Sequence, residues 1–348
     1  MSRDADITAF LAGTDWGEAE RRALAGDASR RRYERLTRTT GETSILMDAP
    51  PAMGEDTRPF LAIADHLRGL GLSAPAILAD DTQRGLLVME DLGDALFARV
   101  LEQTPSLQPP LYDAAADLLA HLQRQAPPAL PVYGPAEMAD RARLAALWYR
   151  PGLAGRAPDQ SDADAAEALA QAVRAVLDAH IEAPRAMILR DYHAENLIWL
   201  PDRRGHARVG LLDFQDAALG DPAYDLASLV QDARRDVPDQ IAADTLHRYA
   251  AETGRAEAAL AAAVAVCGVQ RALRILGVFA RLALRDGKTG YLSLLPRVWG
   301  QVQANLAHPA CAPLAVTVSR ILAAPSAPGL QALAHRAGVV DDPAPMAP

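Results

Sequence analysis

Lysine is almost absent from this chain. Of 35 basic residues only Lys288 is a lysine, so none precedes position 288. Cysteine is nearly as scarce. Cys267 and Cys311 are the only two, too few for a disulfide framework or a cysteine metal cluster, and they read as small buried hydrophobes. Positive charge is outweighed, with 44 acidic residues against 35 basic and a net charge of -9. That balance argues against nucleic acid or an anionic membrane as partner, since both select basic surfaces. Long apolar runs are also missing. The longest, Ala258 to Gln270, is too short to span a bilayer and leads into Arg271 and Arg274. The first residues lack the basic, apolar, small-residue order of a signal peptide, and no internal repeat is visible. A soluble cytoplasmic protein is expected.

What remains is a globular composition, 50% hydrophobic and 23% charged over 348 residues, long enough for two packed lobes. Residues 4–11 and 17–24 read as short amphipathic helices. "RRYERLT" and "TSILMDA" are strand-like runs joined by "RTTGE", a link of hairpin length. Phe60, Ile63, Ala64, Leu67 and Leu70 recur at helical spacing, and "APAILADDTQRGLLVMEDLGD" supplies two more strands around a polar turn. Residues 112–125, 138–149 and 162–181 read as helices. Short apolar runs around loops then occupy 187–215, and helix resumes from Asp225. The order strand, strand, helix, strand, strand and then mostly helix predicts an α+β fold. Its small β-rich lobe, with a helical extension, covers 1–92 and its large helical lobe 93–340. The Pro-rich residues 341–348 are expected to be a disordered tail.

The chemistry concentrates in "ILRDYHAENLIWL". Asp191 and Asn196 lie five residues apart, and Asp213 in "LLDFQD" follows seventeen residues after Asn196. An acid and an amide at this separation can do two jobs on one tight loop, the acid facing a hydroxyl and the amide a cation. A second acid at the end of an apolar strand completes an oxygen pair for Mg²⁺, which takes few protein ligands. Protein kinases use this arrangement. Asp, His and Asn in loops often only cap helices or close turns, but the combined spacing between apolar runs points to phosphotransfer. His193 has two open readings, orienting the loop or approaching the acceptor on one side and a structural, hydrogen-bonded role on the other. In "LGDPAYDLASL", Asp225 stands where an N-cap should and reads as a structural anchor beneath the catalytic loop.

With "RDYHAEN", "LLDFQD" and "GDPAYDLA", the chain resembles the aminoglycoside phosphotransferase-like, or kinase-like, family over roughly residues 26–305. "GDASRRRYERL", "LMDAPP", "LLVMEDLGD", "LLDFQDA", "VQRALRILGVFARL" and "YLSLLPRVW" are similar to its branch of amino-sugar anomeric kinases of bacterial cell-wall recycling. The resemblance implies a two-lobed protein-kinase-like fold that binds ATP between its lobes. It also implies phosphorylation of the anomeric hydroxyl of N-acetylmuramate or N-acetylglucosamine. By the same resemblance, Asp191 is the catalytic base, and Asn196 and Asp213 bind Mg²⁺. Gly26, Asp27, Ala28, Ser29 and Arg30 cover the ATP phosphates, while Met89, Glu90 and Leu92 meet adenine. His193, Gln215, Asp216, Arg271 and Arg274 are candidates for the small-molecule acceptor. An aminoglycoside kinase and a non-catalytic nucleotide-binding module are the rival readings.

One position departs from the kinase pattern. The strand that should carry a phosphate-binding lysine offers Met47 instead, which leaves metal, loop amides and an arginine from Arg30, Arg31 and Arg32 to hold the phosphates. Arg271, Arg274, Arg281 and Arg285 fall on one helical face, opposite Leu276 and Phe279. Singly each reads as part of a solvated basic face. As a set they are candidates to meet the acceptor carboxylate.

Overall fold

The computed structural model describes residues 2–24 and 31–340. The expected phosphate loop, Gly26, Asp27, Ala28, Ser29 and Arg30, and the expected tail at 341–348 lie outside the described residues. The chain forms two compact units, 1–118 with 194–217, and 119–193 with 218–348. A single cut at residue 92 therefore does not reproduce this division. The segment 194–217 returns to the first unit, because its strands pair with each other and bridge to Ser73 and Leu96 there.

The first unit is built on a five-stranded antiparallel sheet of order β1-β2-β3-β5-β4. Its strands are β1 (Glu20–Ala23), β2 (Arg32–Thr37), β3 (Thr43–Asp48), β4 (Ile77–Asp81) and β5 (Leu86–Glu90). Side chains alternate across these strands. Leu36, Leu46, Leu86 and Val88 meet Ile7, Phe10 and Leu11 of the Arg3–Ala12 helix together with Trp16. The expected helix at 17–24 is instead the edge strand β1. "GEAERRAL" has good helix formers, but Glu20 pairs with Thr37 and Arg21 bonds Glu34 across the ladder at 2.7 Å. Tertiary pairing overrides local propensity here, and the strand is short and charged as edge strands tend to be. A further hairpin, β7 (Leu197–Trp199) with β8 (Val209–Leu211), lies outside that sheet in the same unit.

The second unit is mainly helical and organised around a 28-residue helix, Glu257–Leu284. The expectation from the 258–270 run fell short because Arg271 and Arg274 do not end the buried segment. By length and composition this helix could cross a membrane, yet 78% of its apolar window is buried inside the protein. Gly277 lets it approach the backbone of the Pro135–Leu144 helix, where an added Cβ would lie 2.3 Å from the Leu144 carbonyl carbon. Cys267 and Cys311 are both buried here as free thiols. A small ladder of β6 (Ala186–Ile188) with β9 (Ala218–Gly220) leads into the Ala223–Val230 helix.

Candidate active site

Asp191 follows β6 in the second unit, and the turn that delivers it is strained. Arg190 has φ 69°, and with Asp213 (φ 55°) it is one of two non-glycine residues at positive φ among those described. The Asp191 amide donates to the Leu189 carbonyl at 2.9 Å. This places Arg190 at the centre of a three-residue γ-turn of the rare positive-φ kind, and strain of this sort gathers at functional sites. Asp225 supports the turn from below. Contrary to the expectation from sequence, it does not cap its own helix. Pro222 holds the N-cap position, and the buried Asp225 carboxylate accepts the Leu189 amide at 2.6 Å and the Arg190 amide at 2.8 Å. Burial pushes its carboxyl up to about 7, against the pull of those two amides.

The surroundings of Asp191 are cationic. Burial pushes its carboxyl up, but Arg274, Arg271 and Arg190 outweigh that push and hold it below the ordinary carboxylate value. Arg271 and Arg274 therefore do not form a solvated stripe. Arg271 is 5% exposed, and its Nη1 donates to the Gln231 carbonyl at 3.3 Å while its Nε has no hydrogen-bond partner. The charge of Arg274 is coupled to Tyr224, Tyr133 and Asp191. Arg285 instead pairs with its neighbour Asp286 at 2.7 Å, as a surface residue would. His193 is buried with its Nδ1 unpartnered, and desolvation pushes its imidazole down to about 4. It is therefore neutral at pH 7.

Asp232 was not singled out from the sequence. It is buried beyond the end of the Ala223–Val230 helix, with Oδ1 accepting the Arg234 amide at 2.8 Å and Oδ2 unpartnered. It is the strongest charge acting on the His193 ring. Unpaired buried polar atoms are uncommon in folded proteins. Here Arg271 and His193 are each electrostatically coupled to Asp191, and Asp232 is coupled to His193. The polar insertion "QDARRD" directly after an apolar helix was the available signal.

The first unit carries the other candidates. Leu197 pairs with Leu211, and the Leu212 amide donates to the Asn196 carbonyl at 3.0 Å. Asn196 and Asp213 thus leave the same end of the β7–β8 hairpin. Phe214 is buried and stacks on Phe60 with centroids 4.8 Å apart, which ties down the backbone behind the exposed Asp213. Two side-chain oxygens on one hairpin end suit a hard cation that keeps water and phosphate in its remaining positions. Gln215 donates to Asp213 Oδ1 at 2.8 Å, and Asp216 is exposed. The structure thus ties Gln215 to the metal candidate rather than setting it apart as an acceptor contact.

Met47 is fully buried, opposite Tyr33 and Leu87 in the ladder. Of the three candidate arginines, Arg32 pairs with Asp48 at 2.6 Å, and Arg30 is not described. Arg31 bonds Glu55 at 2.8 Å, and its charge is coupled to Asp213. Its charge is also coupled to Tyr33, the residue opposite Met47 in the ladder. In the expected hinge, Glu90 is already engaged by Arg203 at 2.5 Å and by the Ala76 amide at 3.1 Å. Met89 and Leu92 are buried. The Glu90 carboxylate therefore has a structural task.

The family model described as "Phosphotransferase enzyme family" matches residues 20–262. The chain belongs to this phosphotransferase family. The phosphotransferase is 41% identical over 346 residues to a Caulobacter vibrioides protein named N-acetylmuramate/N-acetylglucosamine kinase, covering 90% of this chain and 94% of that one. A Pseudomonas aeruginosa protein of the same name is 32% identical over 317 residues, covering 88% and 90%. Among solved structures, ADP-bound aminoglycoside phosphotransferase APH(2'')-Ib matches with a TM-score of 0.59 at 14% identity, over 86% of this chain and 97% of that one. At that identity the match speaks for the fold alone, and the fold is kinase-like.

Proposed function

We propose that this phosphotransferase is an ATP-dependent sugar kinase acting on the anomeric hydroxyl of N-acetylmuramate, N-acetylglucosamine or both, to give the sugar 1-phosphate. The observation that carries the chemistry is Asp191, held below the ordinary carboxylate value by nearby arginines at the tip of a strained turn. The identity of the acceptor is supported by the printed names of the relatives at 41% and 32% identity. A cytoplasmic location and a role in cell-wall recycling go with this reading, since the reaction needs ATP.

In this reading Asp191 accepts the proton of the attacking hydroxyl and orients its oxygen. Its low basicity matches a reaction in which positioning and charge neutralisation contribute more than proton abstraction. Arg271 and Arg274 keep the carboxylate charged and present cationic surface to an acceptor that bears a carboxylate. Asn196 and Asp213 would hold Mg²⁺, and Arg31, oriented by Glu55, would take the place of the lysine absent at Met47. Bound Mg·ATP supplies the transferable phosphoryl group and neutralises its oxygens.

The cationic surroundings of Asp191 disfavour an aminoglycoside acceptor, because like charges would meet on binding. The non-catalytic reading was motivated by Met47. Arg31, whose charge is coupled to Asp213, offers a cation in place of the missing lysine and speaks against that reading. ADP release from the whole protein, measured with N-acetylmuramate, N-acetylglucosamine and kanamycin in turn, tests the proposal. Turnover with the N-acetylated sugars and none with kanamycin is expected. Turnover with kanamycin alone, or with none of the three, contradicts it.

A further inference from the structure

The γ-turn before Asp191 poses a physical question. Glycine adopts φ near +70° without steric cost, whereas an L side chain there is strained. The chain nevertheless places an arginine at position 190, with φ 69°. The side chain must return something that glycine cannot.

Its guanidinium lies over the Tyr133 ring, 4.6 Å from the centroid, in a cation–π stack. Tyr133 is itself fixed on two sides. Its amide donates to the Leu219 carbonyl at 2.8 Å, and its buried ring meets Tyr224 edge to face, with centroids 5.2 Å apart. Tyr224 immediately precedes Asp225, whose carboxylate holds the amides of Leu189 and Arg190. Two adjacent residues of the Ala223–Val230 helix therefore grip the same turn. Asp225 holds its backbone, and Tyr224 acts through Tyr133 on its one long side chain.

We propose that Arg190 is a positioning residue for Asp191, clamped on Tyr133 so that the strained turn has a single orientation. This rests on the reading of Asp191 as the base. Tyr224 and Tyr133 fix the guanidinium plane, the guanidinium fixes residue 190, and residue 190 sets the direction in which Asp191 leaves the turn. Small displacements of a catalytic group are costly in rate. The clamp therefore acts on kcat, with little effect on the binding of either substrate.

The test is steady-state kinetics and thermal denaturation of full-length variants. Arg190→Gly removes both the clamp and the strain. Its Tm is expected to match or exceed that of the unmodified protein, while kcat falls about tenfold or more and both KM values stay within about twofold. Arg190→Lys keeps the charge but not the planar stack, and should also lose kcat. Tyr133→Phe keeps the ring and should restore near-normal kcat, whereas Tyr133→Leu should reproduce the loss. Adding Tyr133→Leu to Arg190→Gly should cost little more, since both break one device. Full kcat in Arg190→Gly overturns the proposal, as does multiplication of the two losses in the double variant. Asp191→Asn, measured alongside, separates the two readings. If it retains turnover the base assignment fails. If it is inactive while Arg190→Gly is fully active, only the positioning role fails.

Discussion

Asp225 and Arg190 are joined by a 2.8 Å hydrogen bond from a strained backbone amide to a buried carboxylate. The other carboxylate oxygen holds the amide of Leu189, so both donors at the root of the Asp191 turn end on one side chain. An amide side chain has a single acceptor oxygen and would aim N–H at one of these donors. Asp225→Asn should therefore lower stability by about 1–3 kcal/mol, the cost of an orphaned buried donor. It should also reduce kcat. Urea denaturation and initial rates check both. An unchanged midpoint would mean that the turn stands without this support.

Two buried groups give opposite pH signatures in the ligand-free protein. His193 is pushed down to about 4 from an ordinary value of 6.5. Below pH 6.5 the unfolded chain takes up a proton that the folded one refuses, so this contribution is lost as pH falls from 6.5 through about 4. Asp225 is pushed up to about 7 from 3.8. The folded chain keeps a proton there that the unfolded one releases, so its contribution is lost as pH rises from 3.8 through about 7. Relative to the unmodified protein, His193→Gln should lose stability less on acidification. Asp225→Asn should lose it less as pH rises towards 7. Denaturation midpoints from pH 4 to 8 decide the signs.

Arg31 should bear on nucleotide affinity. Arg31→Ala is expected to weaken equilibrium binding of ATP about tenfold or more, on the order of one charge-assisted contact. Glu55→Gln should weaken it less, by freeing the arginine it orients. Met47→Lys should not help. The side chain it replaces is 0% exposed, so the ammonium would be desolvated with no acid prearranged for it, and melting temperature should fall while turnover stays level or drops. A strong gain in turnover from Met47→Lys would contradict the assignment of Arg31.

Arg271 offers an unpartnered Nε beside an ionised Asp191. If it receives the lactyl carboxylate, Arg271→Ala should raise KM for N-acetylmuramate by about tenfold to a hundredfold, as a lost bond to a charged group does. KM for N-acetylglucosamine, which lacks that carboxylate, should move less. Equal shifts for both sugars would assign Arg271 to holding Asp191 alone.

Much of this was legible from local signals. The two hairpins of the first unit, the Arg58–Gly69 helix and the Asp191, Asn196, Asp213 spacing all carry their pattern within a few residues. Residues whose roles are set at long range were misread or missed. Asp225 resembles an N-cap by position, but its carboxylate is spent on amides 35 and 36 residues upstream. Residues 20–23 look helical until β2 is laid beside them. Arg271 looks solvated in the sequence because helical periodicity cannot tell that the opposite wall is protein. Tyr133, far upstream of the residue it stacks on, has no local signal at all.

The most direct measurement is the position of the new phosphate. The complete protein should be incubated with Mg·ATP and N-acetylmuramate or N-acetylglucosamine, and the product read by ³¹P and ¹H NMR, beside the Asp191→Asn variant. The account predicts phosphate on the anomeric oxygen, with turnover in Asp191→Asn reduced on the order of a hundredfold or more. Phosphate on any other hydroxyl, or near-normal turnover without the Asp191 carboxylate, would contradict it.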